Sequence, residues 1–373
     1  MTALYYIANM RFPTERAHGI QVAKMCEAFA QRHGTDTEKI NVTLLVPDRK
    51  TMEEDPFVYY GIERIFTIER IPVPDIVRFG KLGFLIESFL FALRATRRAL
   101  QERDAIIYTR EELPLLLMSP RRAFYEVHQL RRSFIFTHSI KKAKGVISIT
   151  QGLKDALVRT GVPKERILVA HDGYDAKQFG VLVTKTEARA RLSLSPDKRI
   201  AVYIGGFEEW KGVETLCKAS EFLRSDNIQI AVIGGTAKEK ETYERKYPLV
   251  TFLGARPYAD LPRNQQIADV LVIPNSGQER ISREFTSPLK LFAHMASGVP
   301  IVASKLPSLT EVLSERNAYI VEPDDPKALA DAIKETLRSP QASTARARQA
   351  KEDARTYTWS NRAGNVLAYI YGN

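Results

Sequence analysis

The stretch that most constrains the fold runs from Arg280 to Glu311 and reads RISREFTSPLKLFAHMASGVPIVASKLPSLTE. Ser287 is a good N-cap, and Pro288 suits the first helical position, where its missing N–H would be unpaired anyway. Leu289, Phe292, Ala293 and Ala296 recur at helical spacing. Gly298 and Pro300 close the helix, and the apolar run from Pro300 to Ala303 reads as a buried parallel strand. The N–H groups at such a helix start, at the positive end of its dipole, make an anion site. The dipole contributes only about 0.3–1 kcal/mol, so an anion there also wants cations. Arg280, Arg283 and Lys290 are near in sequence. On this pattern alone, a capped core helix that binds nothing is an equal reading.

The same strand–helix alternation runs along the whole chain. Residues 3–10 (ALYYIANM) read as a strand, followed by a polar loop, an amphipathic helix from about Ile20 to Gln31, and a strand over 42–48. In such a unit, ligands favour the loop at the strand's carboxyl end. A further strand followed by a helix is expected over 104–117, and strands at 123–130, ending in His128, and at 145–150, with Thr150 capping the next helix. His128 stands where ligand-facing side chains belong in an α/β domain, whereas His138, inside the next helix, reads as structural. Asp172 and Gly173 form a turn, with hinge and ligand contact equal readings. Strands recur from 199, 228, 250, 268 and 318, with a helix near Lys185. Two doubly wound α/β domains of Rossmann-like type follow, facing across a cleft, over 1–180 and 181–355, with a tail over 356–373.

Length and charge agree with this. At 373 residues the chain can bury two cores, and 44% hydrophobic composition suits a soluble protein. The net charge of +11 favours anionic partners such as nucleotide diphosphates or acidic headgroups. No nucleic-acid-reading motif accompanies it, so nucleic acid is not expected. Cys26 and Cys217 read as buried, reduced thiols, and no signal peptide or membrane-spanning run is evident. A cytoplasmic protein is expected. Residues 78–103 form an apolar helix edged with Arg78, Lys81, Arg94, Arg97, Arg98 and Arg103. It is either a core helix with a basic end or an interfacial helix on anionic lipid. In the second case the pairs Arg121–Arg122, Arg131–Arg132 and Lys141–Lys142 extend the basic face.

TSPLKLFAHMASGVPIVAS, followed by PSLTEVL, resembles the donor-site signature of the family 4 (group 1) retaining glycosyltransferases. RILVAHDGYDAKQF (166–179) is similar to that family's linker, and GGFEEWKG (205–212) to its phosphate loop. The resemblance implies the GT-B architecture and transfer of a sugar from a nucleotide-sugar to a glycan or lipid-linked acceptor, with retention. It implies that Gly205, Gly206, Lys211, Arg283, Glu284, Thr286, Ser287, Pro288 and Leu289 bind the donor. His128 would face the transferred sugar, and Lys211 would stabilise the leaving diphosphate. Lys211 as a solvated lysine is the plainer alternative, although a cation at a helix start opposes the dipole unless an anion is present. Ala17, His18, Gly19 and Gln21 occupy the place of the family's N-terminal donor/acceptor loop, and an ordinary loop histidine is an equal reading of His18. The tail from 356 would pack back toward the first domain.

Two positions depart from the family pattern. Ala293 stands where a ribose-binding Glu is usual, and Phe285 where its companion Glu is, with Glu284 one place away. Gly206 stands where an Arg is usual, and Arg280 or Arg283 is the expected substitute. No Asp-x-Asp motif follows an apolar strand, so neither a metal nor another cofactor is expected. A degenerate member that binds sugar nucleotide or lipid, or supports a partner enzyme, without turnover is the alternative. A sugar-nucleotide epimerase ranks last, for want of acid/base carboxylates.

Overall fold

The computed structural model describes residues 2–32, 39–118, 122–180 and 183–372. Residues up to His171, together with the helix Trp359–Gly372, form one compact unit, and Asp172–Thr358 forms a second. Asp172 and Tyr174 already belong to the second unit, where their amides donate to Ser287 Oγ and the Tyr357 carbonyl, each at 3.0 Å.

The first unit is built on seven strands: β1 (Ala3–Ile7), β2 (Asn41–Asp48), β3 (Thr67–Pro72), β4 (Ile106–Thr109), β5 (Ala123–Val127), β6 (Gly145–Ser148) and β7 (Ile167–Val169). Their order is β3-β2-β1-β4-β5-β6-β7, and every pairing is parallel. Strands β4 to β6 are buried along nearly their whole length, as an all-parallel sheet requires. The order reverses between β1 and β4, so the loops leaving those strands diverge and open a crevice.

The second unit repeats the plan with β8 (Arg199–Ile204), β9 (Ile228–Ile233), β10 (Val250–Gly254), β11 (Val270–Ile273), β12 (Ile301–Ser304) and β13 (Tyr319–Val321). Its order is β10-β9-β8-β11-β12-β13, again parallel, with the reversal between β8 and β11. The two Rossmann-like sheets bear out the expected fold class.

Several local expectations need correction. The first strand ends at Ile7, because the chain turns at Ala8–Met10. The first helix begins at Ala17, not near Ile20, with Arg16 as its cap residue. His18, Gly19 and Gln21 therefore lie in the helix and not in a loop. Ser287 is not the N-cap of the helix Leu289–Ser297. That position is held by Pro288, with φ −73° and ψ 126°, while the Ser287 hydroxyl is taken by Asp172. Gly298 does end this helix, in the left-handed conformation at φ 73°. Thr150 caps its helix as expected, accepting from the Leu153 amide at 3.1 Å. Cys26 and Cys217 are buried free thiols.

The basic apolar segment forms a short turn, Val77–Phe79, and then the helix Gly80–Leu100. One face of it is buried through Gly83, Glu87, Ser88, Phe91, Ala92 and Ala95. Glu87 is completely buried and paired with Arg49, while Ser88 accepts from Asn9 at 2.9 Å. The other face leaves Phe79, Leu82, Leu85 and Phe89 half or more exposed. The expected core helix is borne out on the buried face, and the opposite face is an exposed apolar surface.

Candidate functional site

In the second unit the crevice lies where β8 and β11 diverge. Leaving β8, the chain turns through Gly205 and Gly206, and the Tyr203 hydroxyl donates to the Gly206 carbonyl at 2.7 Å. A side chain at 206 would start against the Glu208 carboxylate and 2.9 Å from Lys211 Nζ. Lys211 closes a single turn, Glu209–Lys211, and pairs with Glu208 at 2.7 Å, its Nζ 5.2 Å from the Trp210 ring centre. Gly212 follows at φ 68°, where the Pro274 carbonyl occupies the place of a Cβ. Only glycine fits both demands. The Ser276 amide donates to the Trp210 carbonyl at 2.9 Å, so the lysine turn is fastened to the loop leaving β11.

That loop carries the π-helical turn Ile281–Phe285, an element frequent at functional sites. Arg280 donates to Glu284 at 2.8 Å; Arg283 donates to the Gly277 carbonyl at 2.9 Å and lies 3.7 Å from Glu284. Both guanidiniums are thus tied within their own turn, against the expectation that one of them replaces the missing arginine at 206. Thr286 is extended at ψ 136°, and the helix then opens at Leu289. Ala293 is buried at 1% exposure, and Phe285 is buried with Arg280 over its ring at 4.8 Å. No carboxylate therefore stands at either of the usual positions.

Besides Lys211, a second cation lies near the glycine loop, Lys290. Its Nζ is buried, makes no hydrogen bond among the described residues, and sits 4.3 Å from the Tyr203 ring centre. Burial, and then Lys211, push its pKa well below the ordinary lysine value, with Glu208 opposing. At the carboxyl end of β11, Asn275 is fully buried with both amide atoms unpaired among the described residues. Sequence reasoning missed it; its signal was a polar residue at once following the apolar run ADVLVIP.

In the first unit the reversal gathers a different set. Glu126 on β5 and His128 just beyond it are two residues apart, so they share a face. His128 Nε2 lies 2.5 Å from Glu126 Oε1, and Glu126 also accepts from Gln21 at 2.5 Å, from Tyr108, and from Arg362 at 3.2 Å. Arg110 donates to Gln21 Oε1 at 2.7 Å, completing a chain of polar contacts. Burial raises the Glu126 pKa, but Arg362, His128 and Arg110 outweigh it and hold the carboxyl well below its usual value. An ionised carboxylate only accepts, so Nε2 carries the imidazole proton and Nδ1 is left as an acceptor. Burial and Arg110 bring the His128 pKa down to about 4, which makes the ring neutral at physiological pH. Such a ring can accept a hydrogen bond from a hydroxyl group.

Of the other expected residues, Gly19 has a packing role. Gly19 lies against Tyr60 and Thr14, which occupy the space of a Cβ. Half-buried His18 is brought to about 4 by burial, Arg110 and Arg16. Exposed His138 stacks on Phe134, with ring centres 5.6 Å apart. Sequence reasoning passed over Glu126 and Arg362, whose separation of 236 residues hides the contact. Arg121 lies outside the described residues.

Comparison with known proteins matches residues 198–339 to the family described as "Glycosyl transferases group 1". A D-inositol 3-phosphate glycosyltransferase of Corynebacterium urealyticum is 27% identical over 221 residues, 55% of this chain and 50% of that protein. The O-antigen chain mannosyltransferase RfbU of Salmonella typhimurium is 26% identical over 293 residues, 73% of this chain and 77% of that protein. The chain spans about half the length of the first of the curated relatives it matches. Among solved structures, Anabaena HepE in complex with UDP and glucose superposes with a TM-score of 0.73 at 17% identity, covering 99% of this chain and 100% of HepE. Sucrose-phosphate synthase from Thermosynechococcus elongatus gives 0.77 at 20%, covering 100% of both.

Proposed function

We propose that this chain, which matches the group 1 glycosyltransferases over residues 198–339 and has the GT-B fold, transfers a sugar, with retention and without a metal ion, from a nucleoside-diphosphate donor to a glycan or lipid-linked acceptor. One observation carries this reading. The turn of Lys211, the glycine loop and the start of the helix Leu289–Ser297 converge where the second sheet reverses. Backbone N–H groups at a helix start and a nearby ammonium suit a diphosphate, and fixed positive groups stabilise it as it leaves. Lys211 would exchange Glu208 for phosphate oxygen. His128 would accept a hydrogen bond from a hydroxyl of the sugar through Nδ1.

The stereochemistry and the metal are tested together. Proton NMR of freshly formed product should show the anomeric configuration of the donor, with a rate unchanged by EDTA. Inverted product, or a rate abolished by EDTA and restored by a divalent cation, would contradict this assignment. A non-catalytic, nucleotide-binding role is the second reading, favoured by the buried Ala293 where the family's ribose-binding carboxylate belongs.

We assign the apolar face of the helix Gly80–Leu100 to an anionic membrane surface at the cytoplasmic side. Exposed Leu82 and Leu85 stand beside exposed Arg78 and Lys81, and exposed Phe134 beside Arg131 and Arg132. Among the described residues no helix is long and apolar enough to cross a membrane. A buried Leu side chain is worth roughly 1.5–3 kcal/mol, so exchanging Leu82 and Leu85 for Glu should cut binding to phosphatidylglycerol vesicles at least a hundredfold. Equal sedimentation of variant and wild type, or of the wild type with neutral vesicles, would remove the assignment.

A further inference from the structure

We propose that Lys290 is the second phosphate-holding cation of the donor site, taking the part of the side chain absent at Gly206, so that a nucleoside diphosphate is gripped between Lys290 and Lys211. The inference rests on the donor-site reading above and adds to it a residue and a ligand charge.

Four observations carry it. First, Lys290 Nζ is buried without a hydrogen-bond or ion-pair partner among the described residues. A compact, strongly hydrated ammonium is costly to leave so, and such orphaned groups are rare outside functional sites. Second, the Tyr203 ring that faces the ammonium at 4.3 Å carries the hydroxyl that binds the Gly206 carbonyl. The ammonium and the glycine loop therefore share Tyr203 as a neighbour. Third, the groups facing it do not neutralise it. These are Lys211, Glu208, which Lys211 holds at 2.7 Å, Tyr203, and His294 one turn further along the helix. His294 is brought to about 3 by burial and by Lys290, so it adds no charge at neutral pH. Two ammoniums thus share one carboxylate, and once Lys211 exchanges Glu208 for the ligand, two negative charges on that ligand balance the pair. Fourth, Gly206 has no side chain to compete, because Glu208 and Lys211 occupy the space where one would begin.

Isothermal titration of the full chain with UDP, GDP and ADP tests this. Lys290→Met keeps the length of the side chain and removes its charge. It should weaken the best-bound diphosphate about ten- to a hundredfold, the range for a charged hydrogen bond. The same variant without nucleotide should melt no lower than wild type, because an unpaired buried ammonium has gone. A residue with a merely structural role would give the opposite pattern, a lower melting temperature with unchanged affinity. The wild type should also bind the best-bound nucleoside diphosphate at least about tenfold tighter than the corresponding monophosphate, which has only one phosphate to share between the two lysines. That readout needs no variant to fold.

Affinity of Lys290→Met within threefold of wild type, while Lys211→Ala loses binding, would overturn the proposal and leave the donor site in place. Equal affinity of the wild type for the monophosphate and the diphosphate would also overturn it. A wild type that binds none of the three would overturn both.

Discussion

Arg362→Met should lower the melting temperature of the first unit by roughly 6–20 °C. The Arg362–Glu126 pair is only 2% and 0% exposed, with nitrogen and oxygen 3.1 Å apart. Removing one member of a buried pair leaves the other charge uncompensated and costs about 3–5 kcal/mol. For a unit of this size, 1 kcal/mol shifts the midpoint by about 2–4 °C. Arg362 also donates to the His171 carbonyl at 3.0 Å, which Met cannot replace. Differential scanning calorimetry reads the shift, and a change under 3 °C would contradict the weight given to this pair.

The same network fixes a pH dependence. The Glu126 carboxyl is held well below its usual value, net of the opposing effect of burial. Its unfolded pKa is about 4.3. A folded pKa below the unfolded one stabilises above the unfolded value, and the stabilisation is lost as pH falls through the folded one. His128 and His18, both at about 4 in the fold, act earlier. Between their unfolded value of about 6.5 and 4, the unfolded chain binds more protons, so stability falls with acidification through that window. In Arg362→Met the carboxyl loses its strongest counter-charge, so less stability remains to be lost below the unfolded carboxylate value.

Lys211→Ala should reduce turnover by about a hundred- to a thousandfold, the usual effect of removing one positioned donor from developing negative charge. Stability should change little. The pair with Glu208 is partly exposed, at 20% and 57%, and such pairs contribute at most about 1 kcal/mol. The turn itself is held by Gly212 and by the Ser276 amide, neither of which depends on the lysine side chain. Initial rates with a saturating donor, alongside a melting curve, separate the two effects. Turnover within fivefold of wild type would remove Lys211 from the chemistry. A melting temperature lowered by 10 °C would make it a structural residue.

Most of the fold was legible because buried parallel strands and helix ends leave strong local marks. The apolar run from Ile301 to Ala303 and the glycine at 298 placed a strand and a helix end correctly. Strand β3 was passed over. Its sequence TIERIP carries Glu69 and Arg70 at a sheet edge, and only Ile71 is buried, so no apolar period shows. Ser287 looked like a cap because its residue type fits, but which hydroxyl meets which amide is a tertiary fact, and Asp172 takes it.

The candidate site was legible in part for the same reason. Glycines and lysines of a loop carry their meaning in spacing, which is visible in GGFEEWKG. Partners distant in the chain are not visible. Nothing in the sequence joins Glu126 to Arg362, or shows that Arg280 and Arg283 are taken by Glu284 and Gly277. Lys290 was one basic residue among several until its Nζ proved buried and unpaired while the arginines were engaged.

The central claim is that the second unit holds a nucleotide-sugar at the point where its sheet reverses. Titrating the purified chain with UDP-, GDP- and ADP-sugars, with and without EDTA, tests it most directly. The account predicts saturable one-to-one binding of at least one of them, unchanged by EDTA and weakened tenfold or more in Lys211→Ala. No heat with any donor, or equal binding by Lys211→Ala, would contradict it.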